Sequence, residues 1–155
     1  MSVPVEQLDD LKFLGGIFQE IENAFNSTDY RETLEGFLPS LVSSHAGHFS
    51  GRRDSNGSIW PPLAAATIAK KGHDVPLVET NRLKESVLNL KHPDHVGEAT
   101  HRGLLFGSDV EYGIFHQEGT KRIPQRAFVG LETPLLDEIV DGVADHAVEN
   151  LKFKI

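Results

Sequence analysis

The chain has 155 residues, 39% of them hydrophobic and 25% charged, which are ordinary proportions for one globular domain. Its 15 Lys and Arg residues against 23 Asp and Glu residues give a net charge of −8, which disfavours general binding of nucleic acid. The lack of cysteine excludes disulfides and thiolate chemistry and fits the cytoplasm. No apolar run approaches the roughly 18 residues that a membrane-spanning helix needs.

Two amphipathic helices are predicted at the N-terminal end of the chain. Apolar residues recur at spacings of three and four between Leu8 and Phe25, which is the period of a helix with one apolar face. The Gly15–Gly16 pair weakens this helix and predicts a bend there. The polar run 26–29 ends the helix and begins a second one, in which Pro39 predicts a kink or a later start.

The middle of the chain alternates turns with short elements. The rigid apolar run 59–63 leads into a short helix over 64–71, which Gly72 closes. Residues 79–90 fit a helix that runs into a strand, and the pattern leaves the boundary between the two open. Glycines around two short apolar runs in 93–107 predict a hairpin or two short strands.

A long helix is predicted at the C-terminal end, where Thr133 serves as the N-cap and Pro134 takes the first helical position. Apolar residues form one stripe along it and acidic residues another, so we expect a surface helix with one buried face. The apolar stripe consists of Leu135, Leu136, Ile139, Val140, Val143, Ala147, Val148 and Leu151. The acidic stripe consists of Asp137, Asp141, Asp145 and Glu149.

The order of these elements, helices followed by short strands and then a helix, predicts an α+β fold. We expect a single domain over residues 1–155, with an N-terminal helix in 1–30 and the remaining elements in 31–155. The sheet is expected to be small and mostly antiparallel, and the C-terminal helix to be long.

The stretch YGIFHQEGTKRIPQRAF at 112–128 concentrates polar groups in a short span and raises the question of catalysis. In an extended segment, His116 and Glu118 would point the same way, as a general base and the residue that orients it. The chain has no Gly-x-Ser-x-Gly elbow, no phosphate-binding glycine loop and no dinucleotide fingerprint to supply the rest of a site. The sequence therefore favours a structural segment, turned at Gly119, over a small hydrolase.

The eight histidines of the chain raise the question of a metal site. His45 and His48 lie three residues apart on a predicted helix, a spacing at which both rings can meet one ion. The spacing and the missing glutamate differ from the His-Glu-x-x-His pattern of zinc hydrolases, and His92 and His95 flank an ordinary turn. We therefore predict no metal and no other cofactor.

Two further features bear on whether the chain contacts other proteins. Trp60, beside two rigid prolines, is either a core side chain, which we favour, or an interface anchor. The run from Lys121 to Arg126 forms a basic loop, in which an arginine is suited to pair with a carboxylate of a neighbouring subunit. The acidic C-terminal helix offers such carboxylates. We expect charge reversal at Arg122 or Arg126 to weaken self-association and to leave the monomer folded.

Four blocks of the sequence, in this order and spacing, resemble the phage virion morphogenesis family, the Mu-type G and P2-type S tail-completion proteins. They are NGSIWPPL at 56–63, TNRLKES at 80–86, YGIFHQEG at 112–119 and IPQRAFVG at 123–130. The family shows G-x-x-W-x-P-L, T-G-x-L-x-x-S, Y-A-x-x-H-Q-x-G and I-P-x-R-x-F-L-G at these places. The resemblance covers residues 31–150.

The chain departs from the family patterns at Asn81, Gly113, Ala127 and Val129. Asn81 stands where the family has glycine. Asparagine tolerates the left-handed backbone that such a glycine position requires, so this departure is compatible with the same fold.

The resemblance implies a non-enzymatic structural protein that completes the tail, or joins it to the head, in a phage or prophage. It implies assembly as a ring that contacts other neck and tail proteins, first in the host cytoplasm and then in the virion. An acidic lumen of such a ring would let packaged DNA pass without adhering, and no membrane contact is expected. A His116 and Glu118 hydrolase and a monomeric binding module for a host protein are the alternatives. The residues expected to hold the fold or its partners are Trp60, Pro62, Leu63, Tyr112, His116, Gln117, Gly119, Arg122, Pro124, Arg126 and Phe128.

Overall fold

The computed structural model describes the backbone of residues 5–152 and the side chains of residues 15–151. The helices in this part of the chain are α1 (Val5–Ser27), α2 (Arg31–Glu35), α3 (Leu38–Gly51), α4 (Ala65–Lys71), α5 (Arg82–Leu88), α6 (Gly113–Glu118) and α7 (Thr133–Lys152). The strands are β1 (His95–Ala99) and β2 (Leu104–Ser108). The single domain, its N-terminal helices, its small antiparallel sheet and its long C-terminal helix confirm the predicted fold class.

The N-terminal helices lie where the sequence predicts them. α1 runs without interruption through the Gly15–Gly16 pair, and the apolar positions predicted before Gly15 lie outside the described side chains. Its last turn is closed by the Thr28 hydroxyl, which donates to the Ala24 carbonyl at 2.7 Å. Pro39 lies in the first turn of α3, so it sets the start of that helix and does not kink it.

Two short helices, α4 and α5, flank the turn 72–81. Gly72 closes α4 with φ 77°, as predicted, and Asn81 precedes α5 with φ 61° and ψ −5°. Asparagine was expected to replace a glycine here because it tolerates a left-handed backbone. The left-handed backbone at Asn81 confirms this reason. α5 ends at Leu88 and no strand follows directly, so the pattern left open over 79–90 is a helix.

The strands β1 and β2 form the predicted hairpin, with His95 opposite Ser108 and Ala99 opposite Leu104. Its turn is closed by the Thr100 N–H, which donates to the Gly103 carbonyl at 2.7 Å. The hairpin packs on α5, which places one face of the sheet against the core.

The hydrophobic core forms where α3 and α5 meet the segments around Trp60 and Phe128. Trp60 is 4% exposed, and its indole N–H donates to the Ala127 carbonyl at 2.9 Å. The Phe49 ring packs edge-on against it, with 5.6 Å between ring centroids. The core interpretation of Trp60 is therefore confirmed. The buried members of the cluster are Phe49, Trp60, Leu77, Leu83, Val87, Val110 and Phe128.

The helix α7 begins one residue before the predicted position. The carbonyl of Glu132 accepts from the Leu136 N–H at 3.0 Å, so Glu132 is the residue before the first turn and Thr133 is already helical. In residues 5–152, no helix combines the length and the apolar character needed to cross a membrane.

The buried face of α7 is narrower than the sequence predicts. The helix packs on α1 and α2, and it approaches the link between α2 and α3 so closely that a Cβ at Gly142 would lie 2.8 Å from the Phe37 ring. Leu136, Val140 and Val148 were expected in the buried stripe, but they are 44%, 55% and 49% exposed. Because contacts lie along one side only, these apolar residues remain at the surface.

Two buried histidines of α3 connect the core to the start of α7. His45 donates from Nδ1 to the Leu41 carbonyl at 2.7 Å and accepts the Gly130 N–H at Nε2, 3.2 Å away. His48 donates from Nε2 to a Glu132 carboxylate oxygen at 3.1 Å. Burial lowers the pKa of His45 because desolvation disfavours the imidazolium, and the neutral ring is the form that can accept from Gly130.

We expect the free energy of unfolding to fall as the pH drops below about 6.5, the ordinary pKa of histidine. Below that pH the unfolded chain binds a proton at His45, which the folded chain does not bind because its pKa is lower. In His45→Gln this difference is gone, so the slope of stability against pH should decrease by up to ~1.4 kcal/mol per pH unit. Urea unfolding followed by circular dichroism, from about pH 7.5 to about pH 5, measures the slope.

The variant His101→Gln is the matched control, since the ring of His101 is exposed in the folded chain. It should keep the wild-type slope. A His45→Gln chain that also keeps the wild-type slope would contradict the assignment.

Candidate functional site

A cleft with a volume of about 970 Å³ lies between α4, the segment that precedes α5, α6 and the loop that follows α6. All four blocks that carry the family resemblance contribute to its lining, so motifs that are distant in sequence meet at one surface. The candidate residues in the lining are Pro62, Leu63, Tyr112, His116, Arg122, Pro124 and Arg126. The other candidates, Trp60, Gln117, Gly119 and Phe128, lie outside the lining.

The segment 113–118 is helical, so the extended conformation assumed for His116 and Glu118 is wrong. Successive residues of an α-helix point about 100° apart, which turns residues two apart to nearly opposite sides. His116 lines the cleft, whereas Glu118 is exposed and lies outside the lining. The structure therefore does not bring these two side chains together as a base and its orienting group.

Gln117 fastens α6 to the segment that leads out of the cleft. Its side-chain oxygen accepts the N–H groups of Phe128 and Val129 at 3.0 and 3.1 Å. Its side-chain amide donates to the Val129 carbonyl at 2.7 Å. Gln117, one of the residues expected to hold the fold or its partners, therefore bonds to backbone groups of its own chain.

Arg126 is an internal residue, which corrects the role expected of it. It is 5% exposed, and it donates from Nε to the Pro61 carbonyl at 2.7 Å and from Nη2 to the Pro62 carbonyl at 2.8 Å. Burial lowers its pKa, and in the described chain no carboxylate pairs with it. A side chain held in this way fixes the Pro61–Pro62 turn and is not free to reach a neighbouring subunit.

His116 has a buried Nδ1 atom with no hydrogen-bond partner in the described chain. Its ring stands edge-on to Tyr112, with 6.4 Å between ring centroids. Burial lowers the pKa of His116, and the nearby charges of Arg126 and Lys71 lower it further. The neutral imidazole is therefore favoured near pH 7, and its buried Nδ1 is an unsatisfied polar atom in a residue that lines the cleft.

The cleft is cationic although the whole chain is acidic. Lys71 and Arg122 line it without an ion pair among the described residues, and Arg126 adds a third positive charge. The carboxylate of Glu79 also lines the cleft and offsets part of this charge. Arg82 also lines the cleft, but Asp94 and Glu111 neutralise it at 2.8 and 3.1 Å. The apolar part of the lining consists of Pro62, Leu63, Leu77, Leu83, Ile123 and Pro124. Such a surface suits an anionic partner that also carries apolar side chains.

Lys71, Glu79 and Arg82 line this site but are absent from the residues that the sequence analysis singles out. Lys71 is the last residue of α4, and its ammonium group donates to the Val78 carbonyl at 3.3 Å. Arg82 lies within a block of the resemblance, and Lys71 and Glu79 lie between two blocks. That position is the one sequence signal that connects them with the site. The turn 72–81 that brings them into the lining is set by tertiary contacts, which the linear pattern does not contain.

Each histidine considered as a metal ligand uses at least one ring nitrogen in another bond, although His48 Nδ1 and His95 Nε2 have no partner among the described residues. Both ring nitrogens of His45 bond to backbone groups, and His95 Nδ1 bonds to the Ser86 carbonyl at 2.8 Å. His92 Nδ1 accepts the Asp94 N–H at 3.1 Å. Across the described part of the chain, no group of three or more His, Asp or Glu side chains is placed to hold a metal ion.

No protein-family model matches the chain, and no curated protein or solved structure matches it at a significant level. The resemblance described above is therefore a likeness of four short motifs, and function is inferred from the residues at the cleft.

Two arginines of the same loop should respond differently to charge reversal. Arg126→Glu removes two buried hydrogen bonds and places a carboxylate against the Pro61 and Pro62 carbonyls, so we expect a loss of ~3 kcal/mol or more in unfolding free energy. Arg122→Glu changes an exposed side chain and should stay within about 0.5 kcal/mol of wild type. Urea unfolding measures both, and equal stabilities would contradict the internal role of Arg126.

Gly119 adopts φ 76° and ψ 167°, a backbone region that is essentially restricted to glycine. A Cβ there would lie 2.9 Å from the Gln125 backbone nitrogen. We expect Gly119→Ala to lower the unfolding free energy by ~2–3 kcal/mol, from backbone strain and this clash together.

The matched control is Gly57→Ala, at φ 84° with open space around a Cβ. It carries the left-handed strain alone and should lose ~1 kcal/mol in the same thermal or urea measurement. Equal losses of unfolding free energy in the two variants would show that the close approach of a Cβ to Gln125 does not contribute to the loss.

Proposed function

We propose that this chain is a structural assembly protein that completes a phage or prophage tail or joins it to the head. It acts as a ring of identical copies in contact with other neck and tail proteins, in the host cytoplasm during assembly and then in the virion. The observation that carries this proposal is how the polar side chains of the family-like motifs are used. Gln117 and Arg126 are hydrogen-bonded to the chain's own backbone, which leaves them no part in bond-making chemistry.

Exposed apolar side chains on two helices support a role in assembly. Phe18, Ile21 and Phe25 form a stripe at helical spacing on α1, and Phe18 is 68% exposed. Leu136, Val140 and Val148 form a second stripe on α7. Large exposed apolar surfaces on a small domain mark sites of contact with other proteins.

The charge of the chain agrees with a neck position. The net charge of −8 gives a ring of copies a repulsive potential toward packaged DNA, so DNA can pass through a lumen without adhering.

A small hydrolase is the second candidate, and the observation in its favour is the unpartnered Nδ1 of His116 in the cleft. Calorimetric titration of the full chain with zinc or manganese tests it. Saturable binding that is lost in His116→Asn would favour the hydrolase over the assembly protein.

Deletion of the gene from a phage or prophage that carries it tests the assembly role. We expect filled heads and separate tails in electron micrographs of the lysate, because the joining step is missing. Wild-type protein supplied in trans should restore joined particles. His116→Asn should restore them equally, since the assembly role requires no proton transfer at this ring.

Normal particles in the absence of the protein would contradict the assembly role. Failure of a folded His116→Asn chain to complement, together with metal binding in the wild type, would favour the hydrolase. The fold of the variant is checked by its unfolding curve.

A further inference from the structure

The exposed side of α7 carries two parallel rows of side chains, which we call the α7 ridge. The apolar row consists of Leu136, Val140, Ala144 and Val148, and the acidic row of Asp137, Asp141, Asp145 and Glu149. All eight residues are exposed. Members of each row are four residues apart, and Asp137, Asp141 and Asp145 each lie three residues before an apolar member. Since residues three and four apart are neighbours on a helix, the two rows adjoin each other for about 18 Å.

The cationic cleft has the complementary chemistry. Its apolar walls include Leu63, Ile123 and Pro124, and its cations are Lys71 and Arg122, with the buried charge of Arg126 behind them. Among the described residues, no carboxylate forms an ion pair with Lys71 or Arg122. The Glu79 carboxylate in the same lining offsets part of this positive charge. With three cations against it, the cleft can still accept carboxylates without first breaking an internal pair.

The ridge and the cleft belong to different parts of the chain. The described cleft lining includes no residue of α7, and α7 packs on α1 and α2 instead. Both surfaces of one copy can therefore be engaged at the same time, by two different neighbours. A head-to-tail contact of this kind builds a ring when the rotation that relates successive copies allows closure.

We propose that the α7 ridge of one copy docks in the cationic cleft of the next copy. Carboxylates of the acidic row pair with Lys71 and Arg122, and Leu136 and Val140 pack on the apolar walls. This inference rests on the proposed function for its biological setting and names the contact that would build the ring.

Charge favours this contact over the symmetric alternative. Two ridges packed against each other would bring acidic rows of the same sign together, at a cost that the apolar row must offset. With a net charge of −8, two copies also repel each other at long range. A contact that places the acidic row against unpaired cations adds a local attraction that offsets part of this repulsion, whereas ridge-to-ridge packing adds to it.

Disulfide cross-linking tests the contact in the full chain, because the natural sequence has no cysteine. One chain carries Thr80→Cys at the rim of the cleft, and a second carries Ala144→Cys within the ridge. The two chains are mixed in a glutathione redox buffer and followed on non-reducing gels. The control pair combines Ala144→Cys with Ser43→Cys, an exposed position on α3.

We expect the cleft–ridge heterodimer to form at least ~10 times faster than the control pair, because docking raises the effective concentration of the two thiols. Adding Arg122→Glu to the first chain, or Asp141→Lys to the second, should reduce the rate to that of the control. Combining both reversals should recover part of the rate, since opposite charges then face each other again.

Equal rates for the two pairs would overturn the proposal. Faster cross-linking of Ala144→Cys chains with one another would also overturn it, in favour of symmetric ridge pairing. The outcome is separable from the proposed function: particles restored in trans by Arg122→Glu would leave the assembly role intact and reject only this contact. Cross-linking as expected, with normal particles after gene deletion, would reject the assembly role and keep the contact.

Discussion

Five side-chain hydrogen bonds from Gln117 and Arg126 hold the segment after α6 between that helix and the Pro61–Pro62 turn. Every bond joins one of these side chains to a backbone group. The path of the backbone after α6 therefore depends little on the neighbouring side chains. The indole N–H of Trp60 adds a bond to the Ala127 carbonyl from the core side. Because Phe128 is buried beside these bonds, the same residues that shape the cleft also complete the core.

The link between cleft and core explains why the charged residue Arg126 is buried inside a small domain. Moving a guanidinium out of water is costly, and unpartnered donors would make the cost larger. The guanidinium of Arg126 donates from Nε and Nη2 to the carbonyls of the consecutive residues Pro61 and Pro62. Proline carbonyls suit this role, since the residue has no N–H and the rigid turn holds both acceptors in place. Arg126 therefore links two segments that are distant in sequence, the loop after α6 and the Pro61–Pro62 segment.

Much of the fold was predictable because its signals are local. Helical periodicity located α1 and α7, glycine closed α4, and turn residues indicated the hairpin. The left-handed conformation of Asn81 followed from motif and backbone chemistry together. These features depend on a few neighbouring residues, so a linear pattern is sufficient to indicate them.

The errors came from contacts between distant residues. α6 has only six residues, too few for a helical period to show, so the sequence does not predict this helix. The exposed row of α7 was assigned to the core because apolar character does not reveal which residues find a partner. Arg126 was assigned to the surface because nothing in the sequence shows that the Pro61 and Pro62 carbonyls lie within its reach.

The electrostatics of the cleft favour binding over turnover. A general base works best when its pKa lies near the working pH and a carboxylate orients its ring. At His116, burial and the charges of Arg126 and Lys71 lower the pKa, which makes the imidazole a weaker base. The same cations attract carboxylates from a partner. Since the cleft is held by bonds already made within the chain, the proposed contact would require little further ordering, and more of its contact energy would appear as affinity.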